Sequence, residues 1–475
     1  MQDLGGRVHG NTLRKAVLRS GDAIAQSVAL LGLVMAVALS TSFAAGAAGA
    51  AVPLAFLVAG LGSLCLAYVI IRFTRLMASA GGIYTYIAQG LGPGAGFIGG
   101  WMYGGAFAVG ITFILAIAAI FLSTLLANVH ISLHWFVIYC VLLVALFLCA
   151  FFDIRISTRM QLVLAAVGVL AILILAVIIL AKGGDAGVSL TPFSFSALPS
   201  GLSGLLFGTI FSFTSFIGFE AAAVLGEETT NPKYTIPRAI FAAILVGAVF
   251  YIFVTYALSI GYGPAHAAKW AADQAPLDTL ANRYASPVLA TIVDLMVAIS
   301  AFIAALASLN LASRMLYAMG RDRGLPAAFG MTHPRYKSPW VGIVVSLLIT
   351  FVLGVTLGLQ LGPFNLFGFL ATTAALGILL AYILVAISGI VYLLRTARKE
   401  QKAGPIIIFD VVLPVIGVLL CGATIYSSVW PVPPPPLNYA PYIAGAWLVL
   451  GLIVLAALWL TKPEQVRQFG KILGE

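Results

Sequence analysis

The chain has 475 residues, of which 62% are hydrophobic and only 8% charged, and its mean hydropathy is +1.09. A soluble domain carries about a quarter charged residues, and one core cannot hide this much apolar surface from water. The composition therefore excludes a soluble enzyme, a secreted disulfide scaffold and a disordered chain, and it predicts that lipid is the main solvent. The net charge of +10 must then be interpreted by position, because basic residues mark the cytoplasmic side of membrane proteins.

Residues 1–20 are polar and basic, and we expect them to form a cytoplasmic N-terminal segment. The apolar run that follows is too long for a signal-peptide core and lacks a clean cleavage pattern, so it is predicted to stay as the first membrane helix. Runs of about 20 apolar residues span a bilayer as helices. The sequence predicts twelve such helices, at residues 21–43, 53–71, 96–126, 134–152, 158–181, 203–225, 237–260, 287–317, 339–358, 364–394, 406–427 and 441–460.

These runs are continuously apolar, whereas the strands of a membrane β-barrel alternate apolar and polar residues. Backbone in lipid must also make its hydrogen bonds internally, so the predicted fold class is an all-α membrane protein. Placing the N-terminus inside puts only three of the 25 Lys and Arg residues outside, namely Lys182, Lys269 and Arg283. The other 22 fall on the cytoplasmic side, which favours twelve helices with both termini inside the cell.

Two segments on the external side stand out. Residues 262–286 contain a polar helical stretch at 267–281 that is predicted to lie over the mouth of the protein, and residues 430–440 (WPVPPPPLNYA) predict a rigid polyproline turn. The cysteines Cys65, Cys140 and Cys149, together with Cys421, all fall in apolar runs, so neither a disulfide framework nor a metal site is expected.

Acidic residues inside a membrane are costly and usually functional. Asp22 and Asp410 sit at helix starts, and Asp294 is close enough to the external end of helix eight for contact with water. Glu220 is the exception, because it lies within the sixth apolar run. No histidine occupies a helix interior and there is no phosphate-binding glycine-rich loop, so we expect no cofactor, no metal centre, no ATP-driven chemistry and no nucleic-acid partner.

The sixth helix carries glycine, hydroxyl and aromatic residues in sequence over residues 212–220 (SFTSFIGFE). This pattern suits a helix that opens locally, so that freed backbone groups face a cavity. It equally suits a tight helix–helix contact whose hydroxyls bond back to their own helix. The residues alone leave both interpretations open.

Three segments resemble the amino acid–polyamine–organocation permeases. The first, at the sixth helix, comprises residues 217–220 (IGFE), 226–232 (GEETTNP) and 236–239 (IPRA). The second, between helices two and three, comprises residues 79–84 (SAGGIY) and 96–101 (GFIGGW). The third is residues 310–326, at the end of the eighth helix. The resemblance implies the leucine-transporter fold, with two inverted five-helix repeats and discontinuous helices 1 and 6. The repeats would span residues 21–181 and 203–394, followed by two further helices at 406–460 and a cytoplasmic tail at 461–475.

The same resemblance implies a substrate site where helices 1 and 6 cross. Backbone groups of Thr214, Ser215 and Ile217 would hold the substrate amino group, Gly218 would allow the opening, and Phe216 and Phe219 would act as gating or pocket aromatics. The partner in helix 1 would be residues Ala29, Leu30, Leu31 and Gly32. Family members usually carry a glycine-rich triplet there, whereas this chain has one glycine.

Coupling is predicted from what the chain lacks. Sodium-coupled relatives place hydroxyl oxygens on helix eight, where this chain has Ala307 and Ser308, so the sodium site looks incomplete. Some proton-coupled relatives carry a lysine in the middle of helix five, whose charge takes the place of the sodium ion. Residues 158–181 of this chain contain no lysine. Proton coupling through Glu220 is favoured, while exchange and uncoupled transport stay open.

The predicted function is an amino acid permease of the plasma membrane that works by alternating access on a small-molecule substrate, in an unknown oligomeric state. A polyamine or other organic-amine permease of the same fold is the alternative. A channel or a membrane sensor is a weaker alternative, because no pore-lining ring of charge and no appended soluble domain is evident.

Overall fold

The computed structural model describes residues 20–77, 81–128, 130–152, 158–225, 229–399 and 405–470. Within these ranges the chain is helical and contains no β-strand. Its α-helices are α1 (Ser20–Leu31), α2 (Leu33–Ala48), α3 (Val52–Leu76), α4 (Ile83–Leu91), α5 (Pro93–Asn128), α6 (Trp135–Phe151), α7 (Thr158–Ala181), α8 (Gly201–Phe216), α9 (Pro232–Tyr262), α10 (Ala267–Ala272), α11 (Pro276–Tyr284), α12 (Pro287–Arg321), α13 (Trp340–Leu353), α14 (Leu359–Lys399), α15 (Pro405–Ser427), α16 (Ala440–Thr461) and α17 (Pro463–Val466).

Nine helical segments in the described ranges are long and apolar enough to cross a membrane. Two of them are continuous runs of 54 and 57 residues, at Ala23–Leu76 and Trp340–Thr396, while the apolar helix α6 is shorter. The predicted all-helical membrane class is thus confirmed. Glycines with positive φ interrupt both long runs, at Gly49 (φ 62°) and Gly362 (φ 73°), where residues with a Cβ would be strained.

The core lies where α5 packs against α12 and α14, and where α3 packs against α9 and α8. Helices α7 and α16 lie further out, and their exposed side chains are largely apolar, as lipid contact requires. This arrangement places Gly32, between α1 and α2, and residues 217–225, which follow α8, inside the bundle.

The stretch at 267–281 is largely helical but is divided into two helices, because α10 ends at Ala272 and α11 begins at Pro276. The expectation for Asp294 is wrong. Asp294 has no exposed surface, so it has no contact with water: it lies on a face of α12 that α11 covers, where an acid of α11, Asp278, is its neighbour.

The two short helices form a cap, defined here as residues 264–284, on the end of α2. Trp270 stacks on Tyr262 with ring centroids 5.4 Å apart, and the Tyr262 hydroxyl donates to Asp273 at 2.7 Å. The Ser42 hydroxyl of α2 donates to the backbone carbonyl of Asp273 at 2.8 Å. These contacts fix the cap over the helix that leads to the site described below.

A carboxylate outside the membrane-spanning helices fastens the cap to the preceding loop. Asp185 accepts hydrogen bonds from Arg283 and from the imidazole Nδ1 of His266, which lies 2.9 Å away. Arg283 above all, and His266 next, hold the pKa of Asp185 below its ordinary value of 3.8. The ionised form is therefore favoured in the folded protein.

We expect Asp185→Asn to lower the midpoint of thermal unfolding by about 1 °C, since exposed ion pairs contribute about 1 kcal/mol or less and a chain of this length has a large unfolding entropy. Because the pKa is lowered on folding, the contribution is complete above 3.8 and is lost as the pH falls through the lowered value. Thermal unfolding of both proteins at several pH values measures this. Glu464→Gln, which breaks an exposed pair with Arg467, is the control, and an equal effect of both variants at neutral pH would contradict the prediction.

Candidate functional site

The chain is interrupted at Gly32, between α1 and α2. Gly32 has φ 52° and ψ 50°, and its amide still donates to Val28 O at 3.2 Å while its carbonyl accepts from Ala36 N at 2.8 Å. The glycine is needed because a Cβ at this position would strain a left-handed backbone and lie 2.8 Å from the Met35 side chain.

The start of α2 presents unpaired amides. Among the described residues, no backbone carbonyl of α1 accepts from the amides of Leu33, Val34 or Met35. The first amides of a helix lack partners within it and carry its positive dipole end. This helix start is therefore suited to bind a carboxylate.

The second interruption lies at the end of α8. Gly218 has φ 108°, and its amide donates to the Glu220 carboxylate at 3.2 Å instead of to the carbonyl of Thr214. No backbone amide in the described ranges donates to the carbonyls of Thr214 or Ile217. Carbonyls left free at a helix C-terminus carry negative partial charge and accept from an ammonium group.

The two interruptions are in contact. A Cβ added to Gly218 would lie 2.6 Å from Cγ of Leu30, so only glycine allows the backbone of this segment to approach α1. The Tyr251 hydroxyl of α9 lies 3.0 Å from Leu31 O and 2.9 Å from Ser215 O, and its single proton is shared between these two carbonyls. One buried tyrosine thus joins the ends of α1 and α8.

A small cavity of about 40 Å³ lies beside both interruptions. Its volume has room for about three water molecules, which is less than any amino acid needs, so the site is closed in this conformation. Of the residues predicted for the site, five line the cavity; the other lining residues are mostly apolar. The five are Leu30, Thr214, Ser215, Ile217 and Ser308, and the others include Met35, Ala36, Ser40, Ala106, Phe107, Gly110, Phe113, Ile114, Phe367, Ala374 and Ile378.

The hydroxyls of the site bond to nearby backbone. Thr214 donates to Ile210 O at 2.8 Å and Ser215 donates to Phe211 O at 3.1 Å, as the second interpretation of the sixth helix expected. Ser308 donates across to Phe107 O at 3.0 Å. The opened backbone and the back-bonded hydroxyls therefore occur together, and the free polar groups of the site are mainly those of the backbone.

The remaining predicted residues do not line this cavity among the described residues. Ala29 lines a separate small groove between α1, α7 and α12. Phe216 is fully buried and packs edge-on against Tyr251, with centroids 5.1 Å apart. Phe219 packs near Tyr382, with ring centroids 5.8 Å apart.

Glu220 lies in a closed polar pocket of its own. Its side chain is 1% exposed, Oε1 accepts from the Tyr103 hydroxyl at 2.7 Å, and Oε2 accepts from the Gly218 amide. The Tyr382 hydroxyl is a further neighbour, although it does not reach hydrogen-bond geometry in the described structure. The acid therefore replaces a helix carbonyl as the partner of the Gly218 amide, and it links α5 to the α8 interruption.

Sequence reasoning missed Tyr251, Tyr103 and a cluster of phenylalanines next to the cavity. The ring centroid of Phe43 in α2 lies 4.6 Å from that of Phe364 and 5.5 Å from that of Phe367. The ring centroids of Phe113 and Phe367 are 5.5 Å apart. These residues come from three different helices and sit in ordinary apolar runs, so no local pattern marks them. Within the described ranges no group of three or more His, Cys, Asp or Glu residues is placed to hold a metal ion.

Comparison with known proteins shows the family of this chain. Residues 25–469 match the family model for amino acid permeases. The chain is 28% identical to a branched-chain amino acid permease of Lactococcus lactis subsp. cremoris, with 87% of this chain and 92% of that protein covered. It is 26% identical to a methylthioribose transporter of Bacillus subtilis (88% and 87% covered) and 27% identical to a low-affinity putrescine importer of Escherichia coli K12 (88% of each covered).

The fold is also similar to that of a solved transporter. A crystal structure of a manganese transporter mutant from Eremococcus coleocola superposes with a TM-score of 0.55, covering 96% of this chain and 98% of that one, at 13% sequence identity. At this identity the likeness concerns the fold alone.

We expect Tyr251→Phe to destabilise the protein by about 1–3 kcal/mol, because it leaves two buried carbonyls without their donor. Tyr256→Phe is the matched control on the same helix, since the Tyr256 hydroxyl donates to Ser189 O at an exposed contact. Thermal unfolding in detergent compares the two variants. Equal stability of both would show that Tyr251 does not hold the two interruptions together.

Proposed function

Because this chain belongs to the amino acid permease family, we propose that it is a secondary transporter that moves a neutral, apolar amino acid by alternating access. As a member of that family it is a multi-pass membrane transporter and not an enzyme. The observation that carries the substrate proposal is an apolar cavity flanked by an unpaired helix start and unpaired helix-end carbonyls.

Twelve membrane crossings are part of this proposal. The first crossing, formed by α1 and α2, and the sixth, which begins with α8, are discontinuous. The runs of 54 and 57 residues are each more than twice the roughly 20 residues that one crossing requires. Dividing them near Gly49 and Gly362, and counting α6 as a short crossing, supports the predicted twelve. The positive charges then favour both termini in the cytoplasm of a cell whose plasma membrane holds the protein, with inverted repeats at 21–181 and 203–394.

The backbone supplies both charged half-sites of the proposed complex. The α2 start binds the substrate carboxylate, with Gly32 allowing the approach. The carbonyls of Thr214 and Ile217 accept from the ammonium group; that of Ser215, already bonded to Tyr251, has a second lone pair to contribute. A substrate with a carboxylate and an ammonium group, such as an α-amino acid, would satisfy both half-sites.

The cavity lining supports an apolar side chain. Phe107, Phe113 and Ile114 of α5 face Phe367 and Ile378 of α14 there, and none of the described lining residues is acidic. A second ammonium, as in putrescine, would need an acid, whereas Glu220 is enclosed by Tyr103 and by its own segment. The branched-chain permease relative agrees with this substrate class, and the putrescine importer remains the alternative to test.

Proton coupling through Glu220 completes the proposal. The carboxylate accepts from the amide of Gly218, so its protonation would weaken that bond and change the interruption that holds the substrate. A sodium ion needs several oxygen ligands, and Ser308 offers a single hydroxyl beside Ala307. We therefore propose proton-driven uptake, with Phe216 and Phe219 contributing to gating through the packing of this segment.

Uptake into liposomes that contain the purified protein tests the function. Labelled leucine, isoleucine or valine should accumulate and be competed by other apolar amino acids, while putrescine and lysine should compete weakly or not at all. Competition by putrescine alone would favour the amine alternative. The assignment fails if a broad panel of amino acids and amines neither moves nor raises the unfolding temperature of the protein.

The location of the site is tested by Gly218→Ala. The new methyl group would meet Leu30 and strain the backbone, so transport should fall at least about tenfold, which corresponds to about 1.4 kcal/mol. Gly422→Ala is the control, because a Cβ there meets no atom within 4 Å. Uptake by Gly218→Ala at the rate of the unmodified protein would place the substrate elsewhere.

Glu220→Gln should abolish the dependence of accumulation on a pH gradient while leaving exchange of substrate across the membrane. Glutamine still accepts from Tyr103 through its amide oxygen but cannot gain or lose a proton. Asp294→Asn is the matched control, since it neutralises another fully buried acid away from the cavity. An unchanged pH profile in Glu220→Gln would remove this residue from coupling.

A further inference from the structure

A basic pocket lies between the end of α3 and the start of α9, on the predicted cytoplasmic side and apart from the substrate cavity. Its volume is about 710 Å³. No acidic residue is among the described residues that line it. The polar side chains that line it are Tyr68, Arg72, Arg75, Lys233, Tyr234 and Arg238.

One of the four cations is neutralised and three are not. Arg72 pairs with Asp410 of α15 at 3.0 Å, and the Tyr68 hydroxyl donates to the other oxygen of that carboxylate at 2.7 Å. Arg75, Lys233 and Arg238 make no ion pair within the described part of the chain. The pocket therefore carries an excess of positive charge from two different helices.

The start of α9 adds to this charge. Its first turn contains Lys233 and no acidic residue, and the preceding Asn231 makes no capping hydrogen bond through its side chain. A helix start carries positive partial charge and normally favours acidic neighbours. A lysine and a nearby arginine at this place favour a bound anion from outside the protein.

An exposed apolar strip leads away from the pocket along α9. Phe241, which also lines the pocket, is 54% exposed, and Leu245 and Val249 are 45% and 65% exposed. These residues are spaced by four, so they share one face of the helix and run towards the middle of the predicted membrane. The surface thus offers cationic groups for an anionic headgroup and apolar groups for an acyl chain.

We propose that this pocket binds the phosphate-bearing headgroup of an anionic phospholipid from the cytoplasmic leaflet. Arg75, Lys233 and Arg238 hold the phosphate through charge-assisted hydrogen bonds, while the strip below Phe241 receives an acyl chain. Because α9 also carries Tyr251, a lipid that joins α3 to α9 stabilises the helix that fastens the two interruptions. The inference rests on the membrane placement proposed above and is independent of the transported substrate.

Lipid binding to the purified full chain in neutral detergent is the test, read by thermal unfolding and by native mass spectrometry. Phosphatidylglycerol should raise the unfolding temperature in a saturable way, because it binds the folded state. Phosphatidylcholine with the same acyl chains should have little effect, and so should free glycerol phosphate. A photoactivatable phosphatidylglycerol should label residues 68–75 and 233–241.

Replacing the three unpaired cations together, as Arg75→Gln, Lys233→Gln and Arg238→Gln, should weaken phosphatidylglycerol binding about tenfold or more. The matched control replaces three other cations of the same predicted side, as Arg323→Gln, Arg335→Gln and Lys462→Gln, and should bind as the unmodified chain does. If the first triple variant does not fold, the choice of lipid and the labelled segments still test the site on the unmodified protein.

Each of four results would overturn the proposal. Equal loss in both triple variants would show a diffuse surface charge, and equal binding of glycerol phosphate would show a site for a soluble anion. Labelling outside the two segments would place the lipid elsewhere. Binding that appears only after Glu227→Gln and Glu228→Gln would show that these acids occupy the pocket. Since none of these readouts depends on uptake, they are separate from a failure of the proposed transport function.

Discussion

The structure depends on one constraint, which is that every backbone group inside a membrane needs a hydrogen-bond partner. Most of the chain meets this requirement by forming helix. At Gly32 and Gly218 the helix stops within the bundle, and side chains meet part of the requirement instead. Tyr251 donates to the carbonyls of Leu31 and Ser215, and Glu220 accepts from the Gly218 amide.

The groups that stay unpaired after this compensation define the proposed site. They are the amides at the start of α2 and the carbonyls at the end of α8, which lie on either side of the cavity. Their opposite partial charges suit the two ends of an amino acid without any charged side chain. The site therefore carries no net charge and avoids the large cost of a buried ion, while its unpaired backbone groups would gain hydrogen-bond partners when the proposed substrate binds.

Charged side chains occur in three separate places with three different surroundings. Asp185 is paired with cations in the cap, Glu220 is enclosed by hydrogen bonds near the centre, and three cations at the far end of α3 and α9 remain unpaired in the described structure. Only the last arrangement calls for a partner from outside the chain. The cavity is closed, so the surrounding helices must move before an amino acid can enter.

The sequence by itself determined the membrane class and the approximate helices, because these follow from continuous apolar runs. The short motif at residues 217–220, with its neighbours, indicated the family. Of the residues that the family resemblance predicted for the site, Leu30, Thr214, Ser215, Ile217 and Ser308 line the cavity. The sequence failed for Asp294, whose burial depends on a neighbouring helix, and it did not show that the cap is divided into two helices. Tertiary structure alone decided that Tyr251 joins the two interruptions, that Phe216 packs away from the cavity and that the basic pocket forms. Each of these depends on contacts between residues distant in the chain, and local periodicity carries no information about which helix faces cover one another.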